Sequence, residues 1–154
     1  MARSTGAKLI AENRRARRDY ELLERVEAGL VLTGTEVKAA REGKVQLAGA
    51  YAEVRGGEAW LVGVSIAEYG ATGSAGHAPE RDRKLLLHRR EIDSLYGKVR
   101  ERGLTIVPTR MYFKDGRAKV ELALARGRER FDKRRAIADR EAKRQVERAL
   151  RRRR

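Results

Sequence analysis

Along most of the chain apolar and polar residues trade places every second position, the period of a half-buried strand. Val120, Leu122 and Leu124 alternate with Lys119, Glu121 and Ala123, which predicts a strand with one face inside. Two further strand-like runs, 50–55 and 58–66, flank Gly56-Gly57 and read as a hairpin. Leu104 to Phe113 is another run, and Pro108 within it argues for an edge strand or a bulge. Asp115-Gly116 is the strongest hairpin turn in the chain. Residues 19–32 contain Gly29 and the β-branched Val26 and Val31, and predict a long, bent strand.

Helical spacing interrupts this pattern. Thr33-Gly34-Thr35-Glu36 fits a capping box, and a helix of about two turns follows, with Lys38 and Arg41 outward and Gly43 as its stop. Ile92, Leu95 and Val99 predict a second helix that ends at Gly103. His88 and Glu91 bracket its start, after the short apolar run Leu85 to Leu87. Those leucines read as core with the charges around them outside. Residues 67–80 hold Gly70, Gly73, Gly76 and Pro79 and read as a mobile loop. Strands dominate and pair in sequence order, so the expected fold is mainly β with short α-helices. Its natural closure is an OB-like antiparallel β-barrel with flanking helices and a basic C-terminal tail.

Charge divides the chain into three. Residues 1–18 carry a net +5, residues 19–125 a net +1 and residues 126–154 a net +9, which together give the chain its +15. A basic N-terminal arm over 1–18, an RNA-binding barrel over 19–125 and a basic tail over 126–154 are therefore expected. Basic ends on a nearly neutral body are the footprint of a polyanion binder. The tail lacks the Trp, Phe and Leu anchors of an interfacial helix, so nucleic acid is favoured over membrane. Its apolar stripe, Ala138, Ala142, Val146, Ala149 and Leu150, is too thin to offset the entropy of ordering. The tail is expected to be disordered alone and helical when bound.

Candidate chemistry is that of binding. With no cysteine and two histidines, the chain has neither a thiolate zinc site nor a Cys nucleophile. No hydrolase elbow, phosphate loop or dinucleotide fingerprint is present. No enzyme activity, metal or cofactor is expected. The longest apolar stretch is five residues, Ala28 to Leu32, so no membrane span or secretory leader is expected and the site of action is cytoplasmic. By contrast Asn13, Arg14, Arg15, Arg17 and Arg18 set an amide and four guanidinium groups in one short stretch. Guanidinium grips phosphate in a fork and stacks on bases. Tyr20 beside them is either a stacking platform or core packing. Arg126 and Arg128, around Gly127, join body to tail where a backbone can approach a ligand closely.

Seven segments in order carry a resemblance. They are Asn13 to Tyr20, Val26 to Gly29, Leu32 to Lys38, Arg83 to Glu91, Gly103 to Pro108, Lys119 to Gly127 and Asp132-Lys133-Arg134. Over residues 8–150 the chain closely resembles the SsrA-binding protein family (small protein B, SmpB), the bacterial partners of transfer-messenger RNA (tmRNA). The resemblance implies an OB-like barrel that binds the transfer-RNA-like end of tmRNA and stands in for its missing anticodon arm. It implies delivery to stalled ribosomes with elongation factor Tu, after charging by alanyl-tRNA synthetase, both acting through the RNA. It implies a tail that enters the vacant messenger channel and folds there. Glu27, Leu86 and Lys119 match family RNA-contact positions. Lys38 falls in a matched segment and joins the expected RNA-binding set, and Asp132, Lys133 and Arg134 match the start of the functional tail. Arg18 stands where the family usually has His, so no titrating imidazole is available there. A monomer is expected. The alternative left open is a ribosomal or ribosome-associated RNA-binding protein whose basic ends thread ribosomal RNA.

Overall fold

The structure is a computed structural model that describes residues 7–68, 78–127 and 129–152, without the side chains of 129–139 and 152. In chain order the elements are β1 (Ala7–Glu12), α1 (Arg14–Asp19), β2 (Tyr20–Leu30), α2 (Gly34–Arg41), β3 (Val45–Gln46), β4 (Tyr51–Arg55) and β5 (Glu58–Val62). They continue with β6 (Ser65–Ile66), β7 (Arg83–Leu86), α3 (Arg89–Arg102), β8 (Thr105–Lys114), β9 (Arg117–Gly127) and α4 (Glu129–Arg152). The main sheet runs β1-β8-β4-β5-β7-β2-β9, and β8 also pairs with β9. That extra pairing closes β8, β4, β5, β7, β2 and β9 into a ring, every pair antiparallel. Closure removes the edges that an open sheet would present. The expected OB-like barrel is therefore present.

The inward set follows the alternation. Leu61, Leu85, Ile106, Met111, Val120, Leu122 and Leu124 are buried within the ring, with Ala39 and Ala40 of α2 and Ile92 and Leu95 of α3 packed against them. Each such leucine contributes roughly 1.5–3 kcal/mol by leaving water. The capping box forms as read: Thr33 accepts from the Glu36 N–H, and Glu36 accepts from the Thr33 N–H at 2.8 Å. Asp115 and Gly116 both take positive φ, as a two-residue hairpin turn requires.

Four readings change. The 58–66 run breaks at Gly63, whose φ of +84° turns β5 away from β6. Pro108 sits at a bulge, as one reading had it, but β8 is no edge, since it pairs with β1, β4 and β9. The bulge explains how a residue without an N–H is tolerated there. Ala125 is buried although it faces away from the barrel interior, because α1 covers it: Ala16, Val107 and Ala125 form a second small core. Finally, residues 7–18 are strand and helix built onto β8, in place of a free arm.

The loop over 69–77, with His77, lies outside the described residues. Within the tail, Glu129–Arg152 form α4, a 24-residue helix. Its Ala, Arg, Glu, Lys and Gln content gives it strong intrinsic propensity. Residues 140–151 are exposed throughout, so the barrel covers none of the Val146 and Leu150 stripe.

Candidate nucleic-acid interface

Strand register assembles one row of side chains across the outside of the barrel. Leu9 pairs with Tyr112, Tyr112 with Lys119, Lys119 with Gly29 and Gly29 with Leu86. Their chain neighbours Ala28, Leu85, Met111 and Val120 are buried, so pleating turns the row outward. Above it lies a groove of ≈ 580 Å³ lined by Glu27, Gly29, Lys84, Leu86, His88 and Lys119, among others. Glu27, Leu86 and Lys119, from three strands, thus meet in one place.

The groove mixes an apolar contact with charge. Leu86 is 54 % exposed, and its backbone pairs in register with Gly29 of β2. Its side chain lies over Gly29, where a Cβ would come within 3.2 Å of the Leu86 Cβ. Among the described residues Lys119 has no ion-pair partner, whereas Lys84 reaches Glu58 at 3.2 Å. Glu27 accepts a hydrogen bond from the Tyr112 hydroxyl, and Lys114 Nζ stands 3.7 Å from the same oxygen, Oε2. Burial pushes the Tyr112 phenol well above its ordinary range, and the Glu27 bond raises it further. Nearby Glu121 is spoken for. It accepts from Thr109 at 2.9 Å, Arg110 at 2.9 Å and Arg25 at 3.1 Å. Burial pushes its carboxyl up, but these bonds outweigh that and hold it below the usual range.

The second set of expected residues lies at the other end of β2. Gly29 lies nine positions beyond Tyr20, about 30 Å of strand. Here α1 displays Arg14, Arg15, Arg17 and Arg18, all exposed. Arg15 reaches Asp19 at 3.2 Å, Arg18 reaches it at 3.9 Å and Arg14 lies 4.0 Å from Glu12. Exposed pairs of this kind hold by at most about 1 kcal/mol, so phosphate can displace them. Arg126, also exposed, pairs in register with Glu21 and belongs to this end.

Asn13 is corrected: it is 4 % exposed and used inside the fold. Its Oδ1 accepts from the Ala16 N–H, capping α1, while Nδ2 donates to Pro108 O at 2.8 Å and Leu47 O at 3.4 Å. Tyr20 packs half-buried against Ala16, Val107 and Ala125, the packing role. Lys38 is exposed on α2 and does not line the groove. Arg128 lies outside the described residues, and Asp132, Lys133 and Arg134 fall in the first turns of α4, where side chains are not described.

Sequence reasoning missed Lys84 and His88 as groove residues, and Tyr112 as the partner of Glu27 beside the groove. The signal available was parity: Tyr112 sits between the apolar Met111 and Phe113, the outward slot of an alternating strand. Among the described residues no group of three or more His, Cys, Asp or Glu is placed to hold a metal ion, and no helix is long and apolar enough to cross a membrane.

The family model described as SmpB protein matches residues 10–152. An SsrA-binding protein of Parafrankia sp. (strain EAN1pec) is 57 % identical over 150 residues, covering 97 % of this chain and 95 % of the relative. That of Thermobifida fusca (strain YX) is 58 % identical over 149 residues, covering 97 % and 93 %. A chain from the solved structure "tmRNA-SmpB: a journey to the center of the bacterial ribosome" is 52 % identical, with a TM-score of 0.67 over 77 % of this chain and 84 % of that one. Matched along nearly its whole length by family model and relatives alike, the chain belongs to the SmpB family.

Proposed function

We propose that this chain binds tmRNA and brings it to stalled ribosomes for rescue by trans-translation. The observation that carries the reading is the groove, where Glu27, Leu86 and Lys119 converge although they lie on three strands. An apolar leucine, an ammonium group and an acceptor carboxylate together suit an RNA loop whose bases are unstacked. The family membership of the chain and the solved tmRNA-SmpB relative support the same partner. The basic end formed by α1 and Arg126, about 30 Å away along β2, is free to meet the ribosome while the groove holds tmRNA. The protein then occupies the place of the anticodon arm, and α4 extends into the empty messenger channel of the small subunit, where RNA walls match its Arg face. Elongation factor Tu and alanyl-tRNA synthetase act through the RNA. The protein works as a monomeric, non-catalytic binding partner in the bacterial cytoplasm.

Truncation tests the division of labour. A chain ending after Arg130 is expected to keep its melting temperature and to bind tmRNA with a moderate loss from removed charge. It is expected to add no peptide tag on stalled ribosomes. Tagging at the wild-type level would make α4 an electrostatic accessory. Recovery of a full set of ribosomal components in place of one small structured RNA, on capture from bacterial lysate, would favour the ribosomal-protein alternative.

A further inference from the structure

Glu27 poses a problem on an RNA-binding surface, because a free carboxylate repels phosphate. Its surroundings resolve it. Both protein partners sit on one oxygen: the Tyr112 hydroxyl donates to Oε2, and Lys114 Nζ is 3.7 Å from the same atom. Among the described residues Oε1 receives no protein donor. The carboxylate is 39 % exposed and lines the groove that holds Leu86 and Lys119. Tyr112 reaches it from β8, across β9, with a half-buried ring that fixes where the hydroxyl lies. In register Tyr112 stands between Leu9 and Lys119, so the same ring borders the phosphate-seeking ammonium group.

Resting on the reading that Glu27 faces RNA, we propose that Tyr112 is a positioning residue for RNA recognition: it holds Oε2 of Glu27 so that Oε1 meets a hydrogen-bond donor on an unstacked base. The donor class is an exocyclic amino or ring N–H group, the edge that carboxylates read on bases. Lys114 offsets part of the negative charge, so the acid recognises a base edge without driving off the neighbouring backbone. Tyr112 itself touches no RNA. The phenol stays protonated through neutral and alkaline pH, since burial and the carboxylate both push its ionisation upward, and it therefore remains a donor.

The test is a double-mutant cycle on the full-length chain with tmRNA as the probe at fixed salt, each variant melted in parallel. Tyr112→Phe keeps the ring and removes only the hydroxyl. It is expected to weaken binding roughly five- to tenfold, the scale of one lost charge-assisted hydrogen bond, with an unchanged slope of log affinity against log salt. In the Glu27→Ala background the same change is expected to cost nothing further. Glu27→Asp, which withdraws the carboxylate from the hydroxyl but leaves Tyr112 intact, is expected to match Tyr112→Phe and covers the case in which that variant folds poorly. Wild-type binding by a folded Tyr112→Phe, or by Glu27→Asp where Tyr112→Phe does not fold, or a Tyr112→Phe loss that persists in Glu27→Ala, overturns the proposal. Where Glu27→Ala weakens binding and Tyr112→Phe does not, only the positioning role falls. Wild-type binding by Glu27→Ala removes the RNA-facing reading as well.

Discussion

Strand β7 is four residues long and inverts the hydrophobic rule at both ends. Arg83, fully charged, is 0 % exposed, while Leu86, three residues on, faces water. The inside end is self-sufficient. Arg83 donates from Nε to Glu36 at 2.8 Å, from Nη1 to Val64 O at 2.7 Å and from Nη2 to Pro79 O at 2.9 Å. Arg81 adds two bonds to the same Glu36, at 2.5 and 3.0 Å. One ionic knot thus ties α2, the turn after β5 and the segment that leads into β7. The outside end is unfinished, since Leu86 offers an apolar surface that nothing in the barrel covers. Both are departures from local pattern, and such departures mark either an architectural tie or a contact surface. Whether all the polar partners are supplied from within the chain tells the two apart.

Breaking the knot carries the largest expected effect. Glu36→Gln leaves Arg83 buried with no carboxylate bonded to it, a loss of about 3–5 kcal/mol. At roughly 2–4 °C per kcal/mol for a domain of this size, the melting temperature falls by about 10 °C. Burial pushes the Glu36 carboxyl up, but the bonds from Arg81, the Thr33 N–H and Arg83 more than reverse this and hold it below the ordinary carboxylate range. A depressed folded-state pKa means the unfolded chain takes up the proton first. The stability is therefore complete above about pH 4.3 and is lost as pH falls below it. Denaturant unfolding from pH 7 to pH 3 checks the sign: the wild type loses stability on acidification, and Glu36→Gln loses less.

At the other end of β7 the effect moves from stability to binding. Leu86→Ala is expected to shift unfolding by no more than about 0.5 kcal/mol, the range of an exposed substitution. Its affinity for tmRNA is expected to fall roughly tenfold, about half the worth of a fully buried leucine. A large stability loss with intact binding would make Leu86 part of the core and erase the contrast. Lys119→Ala sharpens it from the ionic side. This variant is expected to lower the slope of log affinity against log salt by about one, the signature of one phosphate contact removed.

How far these features can be read in sequence follows from how local their causes are. The capping box at Thr33 and Glu36 and the Asp115-Gly116 turn depend on residues within a few positions, and both were legible. The barrel was legible because alternation implies hairpins, and hairpins in series close. Arg83 and Asn13 were not. Their buried state depends on Glu36, 47 residues from Arg83, and on Pro108, 95 residues from Asn13. Without those partners a charged or amide side chain is expected at the surface. The three leucines 85–87 read as core, yet pleating forces one of any adjacent pair outward, and only register with Gly29 decides that it is Leu86. Glu27 and Leu86 came from family resemblance alone, and Lys119 from that and its place on the polar face of its strand, since nothing in their spacing predicts that β2, β7 and β9 bring them together.

Gly29 provides the smallest and most discriminating test. It pairs with Leu86 on one side and Lys119 on the other, so it lies at the centre of the outward row. It is not among the glycines at positive φ, so alanine brings no backbone strain. What alanine brings is a Cβ 3.2 Å from Leu86 Cβ and 3.4 Å from its Cδ1, which displaces the leucine by a few tenths of an ångström. Restricting the unfolded chain stabilises by about 0.4–1 kcal/mol, which offsets the crowding and leaves stability near the wild-type value. Affinity for tmRNA is expected to fall only about two- to fivefold, through the tilted leucine. That route has a consequence in the double variant. In a Leu86→Ala background the added methyl meets little, so Gly29→Ala is expected to cost no further affinity. If the loss persists there at full size, the glycine serves the RNA directly by letting it approach the bare β2 backbone. In that case the two ends of β7 differ because the outer one sits beside a contact made by main chain as well as by Leu86.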